Sequence, residues 1–386
     1  MDIQELLTRG VEKVFPSAEA AAKMLGAGKP LRIYLGIDPT GSELHLGHSV
    51  QILFLRRLLE AGHQPILLIG DFTARIGDPS DKDATRKQLS SDETKRNMAT
   101  YLKQLSPILP LDRIEVRYNS EWFEPMPLQQ FEEIKSVVTV QQLVARDMFQ
   151  KRMADGKPIS AQELDYPIFQ GYDTVAMDAD GEVGGNDQTF NMLMGRDMLK
   201  HFKNKEKIVF ATKLLADPAT GKKMSKTEGT LVALTDDPKA MFGGVMAFSD
   251  GMIASAFEMI TDAPMEKVAE VSKRLASGEN PKILKEELAE YIVSMYYGPK
   301  PSEEAREEFK NVFSKGETPR EMPEHAAGIL ADVLVDAKLV ASKSEVIRLV
   351  KQHGITVNGK TAEGGRDAVS AGDVIKIGAR RFLKIS

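Results

Sequence analysis

The sequence predicts an α/β fold, in which a parallel sheet is followed by an all-helical region and then by a small α+β module. The first observation is the order of three segments near the N-terminus. Two apolar strand patterns, 31–38 and Gln64–Gly70, enclose a helical pattern from Leu46 to Ala61 that closes at Gly62. A strand, a helix and a strand in this order form a parallel pair with a right-handed crossover.

The other two observations concern the C-terminal third. From about Pro238 to Met322 the pattern is helical and acidic, without strand candidates. Residues 331–386 then contain ten Lys and Arg against six Asp and Glu, a charge of +4, which leaves −9 on the other 330 residues because the total is −5. A short helix, Ser344–His353, precedes strand patterns at Ile355–Asn358 and Val374–Ile377. The change of sign indicates an appended module with an anionic partner.

The remaining elements complete the sheet and interrupt it once. The first fifteen residues predict an amphipathic surface helix, and 91–105 predict a charged helix. Ile114–Arg117 and Lys207–Ala211 are further strand candidates. Between them, residues 119–164 turn helical, which we interpret as an insertion between two halves of the sheet.

The composition limits the class of protein. The chain has 386 residues and no cysteine, which excludes disulfides, thiolate metal sites and cysteine nucleophiles. The N-terminal stretch lacks the apolar core of a signal peptide, and no apolar run approaches the roughly 20 residues that span a bilayer. We therefore expect a cytoplasmic protein that makes no contact with a membrane.

A first motif, His45-Leu46-Gly47-His48, follows the first predicted strand and leads into a helix. Ligands of parallel sheets bind beyond the carboxyl ends of the strands, and a helix N-terminus favours phosphate. The two histidines lie three apart, so both rings should face the same side, and Gly47 leaves a surface for a purine. A metal site and an incidental helix start are the alternatives to this nucleotide site.

A second motif, Lys223-Met224-Ser225-Lys226-Thr227, follows an apolar strand and the turn 217–221. Its lysines suit the neutralisation of phosphate charge in a phosphoryl-transfer transition state. A solvated basic turn is the alternative interpretation. The two motifs together predict a site that binds a polyphosphate and activates a carboxylate with ATP.

These motifs resemble the two signature motifs of class I aminoacyl-tRNA synthetases, with Leu46 where isoleucine is common and Thr227 where serine is common. Four further segments are similar to bacterial-type tyrosyl-tRNA synthetases: 34–40, 77–80, 166–173 and 184–188. The segment from about Val340 to Ser386 resembles an RNA-binding module shared with a ribosomal protein. Glu182 stands where some relatives have glutamine, which changes the charge near the amino-acid pocket.

The resemblance implies roles for individual residues. For tyrosine, Tyr34 and Asp173 would bind the phenolic hydroxyl, Asp78, Tyr166 and Gln170 the ammonium group, and Gln188 would lie near the carboxylate. For ATP, it implies Thr40 and His45 at the γ-phosphate, His48 and Gly47 near the adenosine, Gly185 and Asp187 at the ribose, and Lys223 and Lys226 as catalytic cations. Contributions from Lys82, Arg86, Asn119 and Trp122 are left open.

The resemblance also implies the reaction and the domain order. Tyrosine would be activated by ATP with Mg²⁺, without a tightly bound cofactor or a resident metal, and then transferred to its cognate tRNA by a homodimer. The expected domains are a Rossmann-like catalytic domain at 1–230 with the dimerising insertion at 119–164, an α-helical anticodon-side domain at 231–325, and the RNA-binding module at 330–386. A tryptophanyl-tRNA synthetase and a nonenzymatic RNA-binding protein on the same fold are the alternatives.

Overall fold

The computed structural model describes residues 2–80, 89–218, 221, 231–311, 322–340, 342–378 and 381–386. It contains two compact units, Met1–Ser302 and Glu303–Ser386. The helices of the first unit are α1 (Ile3–Thr8), α2 (Ala18–Leu25), α3 (Ser49–Glu60), α4 (Thr73–Ile76), α5 (Ser91–Met98), α6 (Tyr101–Leu105), α7 (Ser120–Phe123), α8 (Leu128–Lys135), α9 (Val140–Val144), α10 (Asp147–Ala154), α11 (Ala161–Ala176), α12 (Thr189–Lys203), α13 (Pro238–Met246), α14 (Ile253–Ile260), α15 (Met265–Ala276) and α16 (Pro281–Tyr297). The boundary between the units falls within α17 (Pro299–Phe309).

The sheet of the first unit has six strands in the order β1-β6-β5-β2-β3-β4. Their bounds are β1 (Val11–Phe15), β2 (Arg32–Ile37), β3 (Gln64–Ile69), β4 (Glu115–Tyr118), β5 (Gly181–Gly185) and β6 (Ile208–Thr212). All neighbours pair in parallel except β1, which lies antiparallel to β6 at the edge. After β2 the chain builds β3 and β4 on one side and later returns to build β5 and β6 on the other. The strand order therefore reverses between β2 and β5, where open α/β sheets bind ligands.

The α/β fold and the parallel core of the sheet are confirmed, and two local predictions are wrong. The N-terminal fifteen residues form the short helix α1 and then strand β1, because Gly10 adopts φ +66° and ends the helix. The predicted helix at 91–105 is two helices, α5 and α6, separated at Ala99 and Thr100. Strand β5 is an element that the sequence pattern did not indicate, because Gly-Glu-Val-Gly-Gly contains a single large apolar side chain although all five residues are buried.

Helix α16 contacts the chain at two places, just after the first motif and shortly after the second. The Tyr296 hydroxyl lies 2.7 Å from the Ser49 hydroxyl at the first residue of α3. Next to it, the Tyr297 hydroxyl donates to the Asp236 carbonyl. The helical region after residue 237 thereby packs directly on the sheet-bearing part of the same unit.

The second unit has its own sheet and core. Its strands are β7 (Glu324–His325), β8 (Gly328–Ile329), β9 (Ile355–Val357), β10 (Lys360–Thr361), β11 (Ala368–Val369), β12 (Val374–Ile377) and β13 (Arg381–Ile385), and its helices include α18 (Leu330–Asp336) and α19 (Lys343–Lys351). Five strands form one sheet in the order β10-β9-β12-β13-β7. Leu334, Val346, Ile355 and Ile375 are fully buried in a core between this sheet and the two helices. This arrangement confirms a small α+β module.

In the part of the chain that the structure describes, no single helix is long and apolar enough to cross a membrane. A bent pair, Pro238–Met246 with Asp250–Ile260, meets the criterion by length and composition alone.

Candidate functional site

A cleft of about 400 Å³ opens where the strand order reverses, beyond the carboxyl ends of β2 and β5. Every predicted site residue that lies within the described ranges contributes to its wall: Tyr34, Thr40, His45, Gly47, His48, Asp78, Tyr166, Gln170, Asp173, Gly185, Asp187 and Gln188. Lys223, Lys226, Lys82 and Arg86 lie outside the described residues.

One end of the cleft is a buried polar pocket beneath β2 and α11. The Tyr34 side chain is fully buried, and its hydroxyl lies 2.8 Å from the Thr174 hydroxyl. Asp173 is 2% exposed and accepts two hydrogen bonds, from Trp122 Nε1 at 2.9 Å and from Asn119 Nδ2 at 3.4 Å. Both of these nitrogen atoms are donors, so they hold the two oxygens of Asp173 in place as acceptors.

Burial governs the protonation of this pocket. Burial raises the pKa of Tyr34 well above its usual range, and the nearby carboxylates of Glu182 and Asp173 raise it further. Burial also raises the pKa of Asp173, while the hydrogen bonds from Trp122 and Asn119 oppose that change. The phenol of Tyr34 thus remains a neutral hydrogen-bond donor, and the carboxyl group of Asp173 lines the cleft near it.

Helix α11 supplies three of the side chains that line the cleft. Tyr166, Gln170 and Asp173 stand at positions i, i+4 and i+7 and therefore lie on one face. The Tyr166 hydroxyl donates to Asp38 Oδ2 at 2.9 Å, and the other oxygen of Asp38 accepts from the Thr73 hydroxyl at 2.7 Å. The first bond joins the end of β2 to α11, and the second joins it to α4.

A row of amide side chains lines the wall between the two ends of the cleft. Gln170 Nε2 donates to Glu182 Oε1 at 3.1 Å, and Gln188 Nε2 donates to Asp78 Oδ2 at 2.7 Å. The buried Asn191 lies between the two glutamines and donates to both side-chain oxygens, at 2.9 and 3.0 Å. Asp78 and Gln170 are thereby brought to the same wall.

The opposite end of the cleft carries the two histidines. Their ring centroids are 4.0 Å apart, so the rings do face the same side. The geometry is a turn that precedes α3, rather than the first turn of the helix, because His48 N–H donates to the His45 carbonyl and α3 begins at Ser49. Packing against His45 gives a further reason for a glycine at position 47. A Cβ atom at Gly47 would lie 2.8 Å from the His45 ring, which occupies that space.

Backbone hydrogen bonds fix the tautomer of both rings. The Gly47 N–H donates to His45 Nδ1 and the His45 N–H donates to His48 Nδ1, each at 3.1 Å. A nitrogen that accepts carries no proton, so each ring is neutral with its proton on Nε2. Burial and the neighbouring His45 lower the pKa of His48 to about 3. The pair therefore offers neutral N–H donors to an anion.

The loop after β5 lies on the other side of this end. Gly185 ends the strand, and Asp187 and Gln188 follow in a single 3₁₀ turn. A Cβ atom at Gly185 would lie 2.6 Å from Asp187 Oδ1 and 2.9 Å from Leu214. Glycine at position 185 therefore lets the side chains of Asp187 and Leu214 pack directly against this backbone.

The chain on both sides of segment 222–230 includes residues at the cleft or at the first motif. Leu214 and Leu215 line the cleft before that segment. After it, the Val232 carbonyl accepts from Leu46 N–H at 3.0 Å, and the Leu234 N–H donates to the Leu44 carbonyl at 2.8 Å. The flank that follows the second motif is thus hydrogen-bonded to the first motif, and the chain several residues before the second motif lines the same cleft.

The structure also shows polar residues to which the sequence assigned no role. Asn119 and Trp122, left open from the sequence, contact Asp173 directly. Asp38, Thr73, Thr174, Asn191 and Lys207 were not singled out. The available signal was a lysine at the start of an otherwise apolar strand, since Lys207 immediately precedes β6 and is fully buried.

Comparison with protein families is in accord with this geometry. Residues 27–314 match the family described as "tRNA synthetases class I (W and Y)", and residues 330–375 match the S4 domain. The chain belongs to the class I aminoacyl-tRNA synthetases of this family. Its members are ligases that use ATP as a substrate.

Relatives narrow the class to the tyrosine type. The chain is 39% identical to a tyrosine–tRNA ligase of Dehalococcoides mccartyi over 99% of this chain and 98% of that protein. It is 40% identical to one of Oleidesulfovibrio alaskensis over 96% and 95%, and 39% identical to tyrosine–tRNA ligase 2 of Vibrio parahaemolyticus over 98% and 97%. Within its class, the chain therefore groups with the bacterial tyrosine–tRNA ligases.

Solved structures share the fold. A truncated mitochondrial tyrosyl-tRNA synthetase of Aspergillus nidulans has a TM-score of 0.69 at 21% identity, covering 81% of this chain and 94% of that one. The tyrosyl-tRNA synthetase of Archaeoglobus fulgidus, complexed with L-tyrosine, has a TM-score of 0.62 at 20% identity, covering 79% and 100%. These likenesses confirm the predicted α/β architecture.

Proposed function

We propose that this protein activates L-tyrosine with ATP to form tyrosyl-adenylate and pyrophosphate, and then transfers the tyrosyl group to the 3′ end of its cognate tRNA. The observation that carries the proposal is a single cleft with two chemically different ends. Tyr34 and Asp173 form a buried polar pocket at one end, and His45 and His48 present neutral N–H donors at the other. Such a cleft can hold an amino acid and a nucleotide next to each other.

The buried pocket would recognise the phenolic hydroxyl. Trp122 and Asn119 already donate to Asp173, so the substrate hydroxyl would add a third donor to that carboxylate. Tyr34 would donate to the same hydroxyl or accept from it. Phenylalanine would leave these buried groups unpaired, and that loss is the basis of discrimination. Tyrosyl-tRNA synthetases are themselves the standard example of such discrimination, at about 10⁵, a magnitude that does not come from this structure.

The wall between the two ends would bind the ammonium and carboxylate groups. Asp78, Tyr166 and Gln170 lie on that wall and offer oxygens to a cation, and Gln188 lies beside Asp78. This arrangement would place the tyrosine carboxylate toward the histidine end. The reacting carboxylate oxygen and the α-phosphorus of ATP would then meet in the cleft, so the reaction needs no protein nucleophile.

The nucleotide end would stabilise charge on ATP. Thr40 and His45 would bind the γ-phosphate, His48 and Gly47 would lie near the adenosine, and Gly185 and Asp187 would receive the ribose. Lys223 and Lys226 would neutralise the departing pyrophosphate. The hydrogen bonds that join residues 232 and 234, directly after their segment, to residues 44 and 46 support this assignment.

Mg²⁺ would accompany the polyphosphate. Among the residues that the structure describes, no group of three or more His, Cys, Asp or Glu side chains could hold a metal ion. The phosphate oxygens of ATP would therefore supply most of the ligands, as is common for this ion. Its chemistry there is the neutralisation of phosphate charge.

The C-terminal module at 330–386 would bind the tRNA together with the helical domain at 231–325. Its S4 match and its net charge of +4 over residues 331–386 support RNA binding. The tRNA is charged in the cytoplasm, where we place the protein, away from membranes. Removal of residues 330–386 should spare adenylate formation and impair tRNA charging, and loss of both would contradict the assignment of the module.

We also propose a homodimer formed through the insertion at 119–164. Large apolar side chains are exposed on its helices, with Leu128 76% exposed, Val140 63% and Met153 45%. Large exposed apolar side chains concentrated in one segment are typical of an interface. Leu128→Glu with Val140→Glu should convert the dimer to a monomer in sedimentation, and an unchanged mass would contradict this interface.

Amino-acid-dependent exchange of pyrophosphate into ATP tests the central proposal. Exchange should be supported by tyrosine and not by tryptophan or phenylalanine. Exchange with tryptophan would show that the substrate is tryptophan, the other amino acid of this family. No exchange with any amino acid would leave a nonenzymatic RNA-binding protein on this fold.

A further inference from the structure

A buried lysine behind the cleft has all of its hydrogen bonds satisfied. Lys207 is fully buried, and its ammonium group contacts the Thr174 hydroxyl at 2.7 Å, the Met192 carbonyl at 3.0 Å and the Glu182 carboxylate. An ammonium group has three N–H donors, and each finds an acceptor here. A Cβ atom at Gly195 would lie 2.6 Å from Lys207 Nζ, so a glycine in the middle of α12 leaves the space that the ammonium group occupies.

Glu182 connects this lysine to the cleft. Its side chain is 2% exposed and lines the cleft, with one oxygen at Lys207 and the other accepting from Gln170 Nε2 at 3.1 Å. An ionised carboxylate accepts hydrogen bonds and does not donate them. Gln170 must therefore turn its nitrogen toward Glu182 and its oxygen away from it.

The same constraint extends along the row of amides. The Gln170 oxygen accepts from Asn191, Asn191 donates also to Gln188, and Gln188 donates to Asp78. A row of amides alone could be reversed with little change in its hydrogen bonds. Glu182 and Asp78 accept at the two ends, and the reversed row would set the oxygens of both glutamines against these carboxylates, although the buried Asn191 oxygen finds no partner in the observed direction. In that direction Gln170 presents an oxygen, with a second lone pair available for a cation.

We propose that Glu182, with Lys207 as its buried counter-cation, is a positioning residue that holds the Gln170 amide with its oxygen toward the ammonium group of bound tyrosine. This inference rests on the role given to Gln170 in the proposed function. A glutamine at position 182 can accept or donate and specifies the direction less strictly. The negative charge also strengthens the hydrogen bond from Gln170 and makes its oxygen a better acceptor.

The test removes the acceptor and the counter-charge together, because a single substitution would leave a buried charge unpaired. The variant is Glu182→Leu with Lys207→Met, and its dissociation constants are measured by calorimetry for three probes. Tyrosine and tyramine carry the ammonium group, whereas 3-(4-hydroxyphenyl)propionate lacks it. Both ammonium ligands should bind about three- to tenfold more weakly, while binding of the propionate stays within about twofold.

A conservative variant should restore part of the binding. Glu182→Gln with Lys207→Met returns an uncharged acceptor at position 182 and should bind tyramine more tightly than the leucine variant and more weakly than the wild type, whereas affinity no better than that of the leucine variant would contradict the inference. If the leucine variant does not fold, Glu182→Ala with Lys207→Met is measured with the same probes. Equal weakening of all three probes, or no weakening of any, would overturn the inference.

A matched control separates positioning from stability. Arg152 and Glu163 form another buried ion pair, 2.7 Å apart, and Glu163 lies at the start of the helix that carries Gln170. Arg152→Met with Glu163→Leu should lower the melting temperature and leave the tyramine constant unchanged. Gln170→Ala separates the two proposals. If it does not weaken tyramine, the role of Gln170 in the proposed function fails; if it does and the 182/207 variant does not, the positioning role alone fails.

Discussion

The two ends of the cleft are built in different ways. The tyrosine end rests on regular elements, since Tyr34 lies in β2 and Asp173 in α11, and both are almost fully buried. The histidine end is built from a turn, a 3₁₀ turn and the flanks of segment 222–230, and its side chains are partly exposed. A pocket that must reject a similar substrate needs partners that cannot rearrange. A pocket that handles phosphate charge can use groups that move with the reaction.

The largest effect is expected from a substitution at the nucleotide end of the cleft. Lys226→Ala should lower the rate of adenylate formation about 100- to 1,000-fold, because the lysine acts on charge that develops in the transition state. The tyrosine dissociation constant should change less than about twofold, as measured by calorimetry and single-turnover kinetics. Lys222→Ala, in the same basic segment, is the control and should cost less than about tenfold. Equal losses in binding and rate would contradict a transition-state role.

The second largest effect is expected from a substitution at the tyrosine end of the cleft. Asp173→Asn should lower kcat/KM for tyrosine about 100-fold, because it removes the charged acceptor and places an amide against two N–H donors. The KM for ATP should stay unchanged, since Asp173 lies at the other end of the cleft. Asp165→Asn on the same helix is outside the cleft wall and serves as the control. An unchanged preference for tyrosine over phenylalanine in pyrophosphate exchange would show that Asp173 does not read the hydroxyl.

The smallest expected effect is the pH dependence of stability that His48 gives to the nucleotide end. The pKa of His48 is lowered to about 3 in the folded protein, below the value of about 6.5 in an unfolded chain. The unfolded state therefore binds more protons between these values, so stability is present above pH 6.5 and is lost as the pH falls toward 3. Acidification from pH 7 to 5 should cost up to about 2 kcal/mol of unfolding free energy through this residue.

Urea unfolding of the wild type and His48→Asn at both pH values measures this contribution. The substituted protein should lose less stability on acidification than the wild type. The same loss in both proteins would mean that the folded chain accepts a proton on His48, and the neutral-donor role at the nucleotide end would be wrong.

Local patterns were sufficient for most of the fold and for the histidine end of the cleft, since strands β2, β3 and β6 and the pair His45 and His48 have periodic or short-range signals. The family resemblance supplied the other cleft residues, among them Tyr34, Asp78, the three on α11 and those of the loop after β5. Long-range pairs were not accessible. Asp38 meets Tyr166 across 128 residues, and Lys207 meets Glu182 across a strand pair, contacts that neither periodicity nor spacing specifies. The domain limits and the roles of the individual site residues stay predictions.

The pairing of Lys207 with Glu182 also restricts how this chain can change over generations. Removing either partner leaves a buried charge, which costs about 3–5 kcal/mol. That is a large fraction of the roughly 5–15 kcal/mol that keeps a typical domain folded. A lineage that carries the pair can lose it in only two ways. Either one substitution passes through a strongly destabilised intermediate sequence, or both substitutions occur together. The two positions should therefore be inherited as a unit.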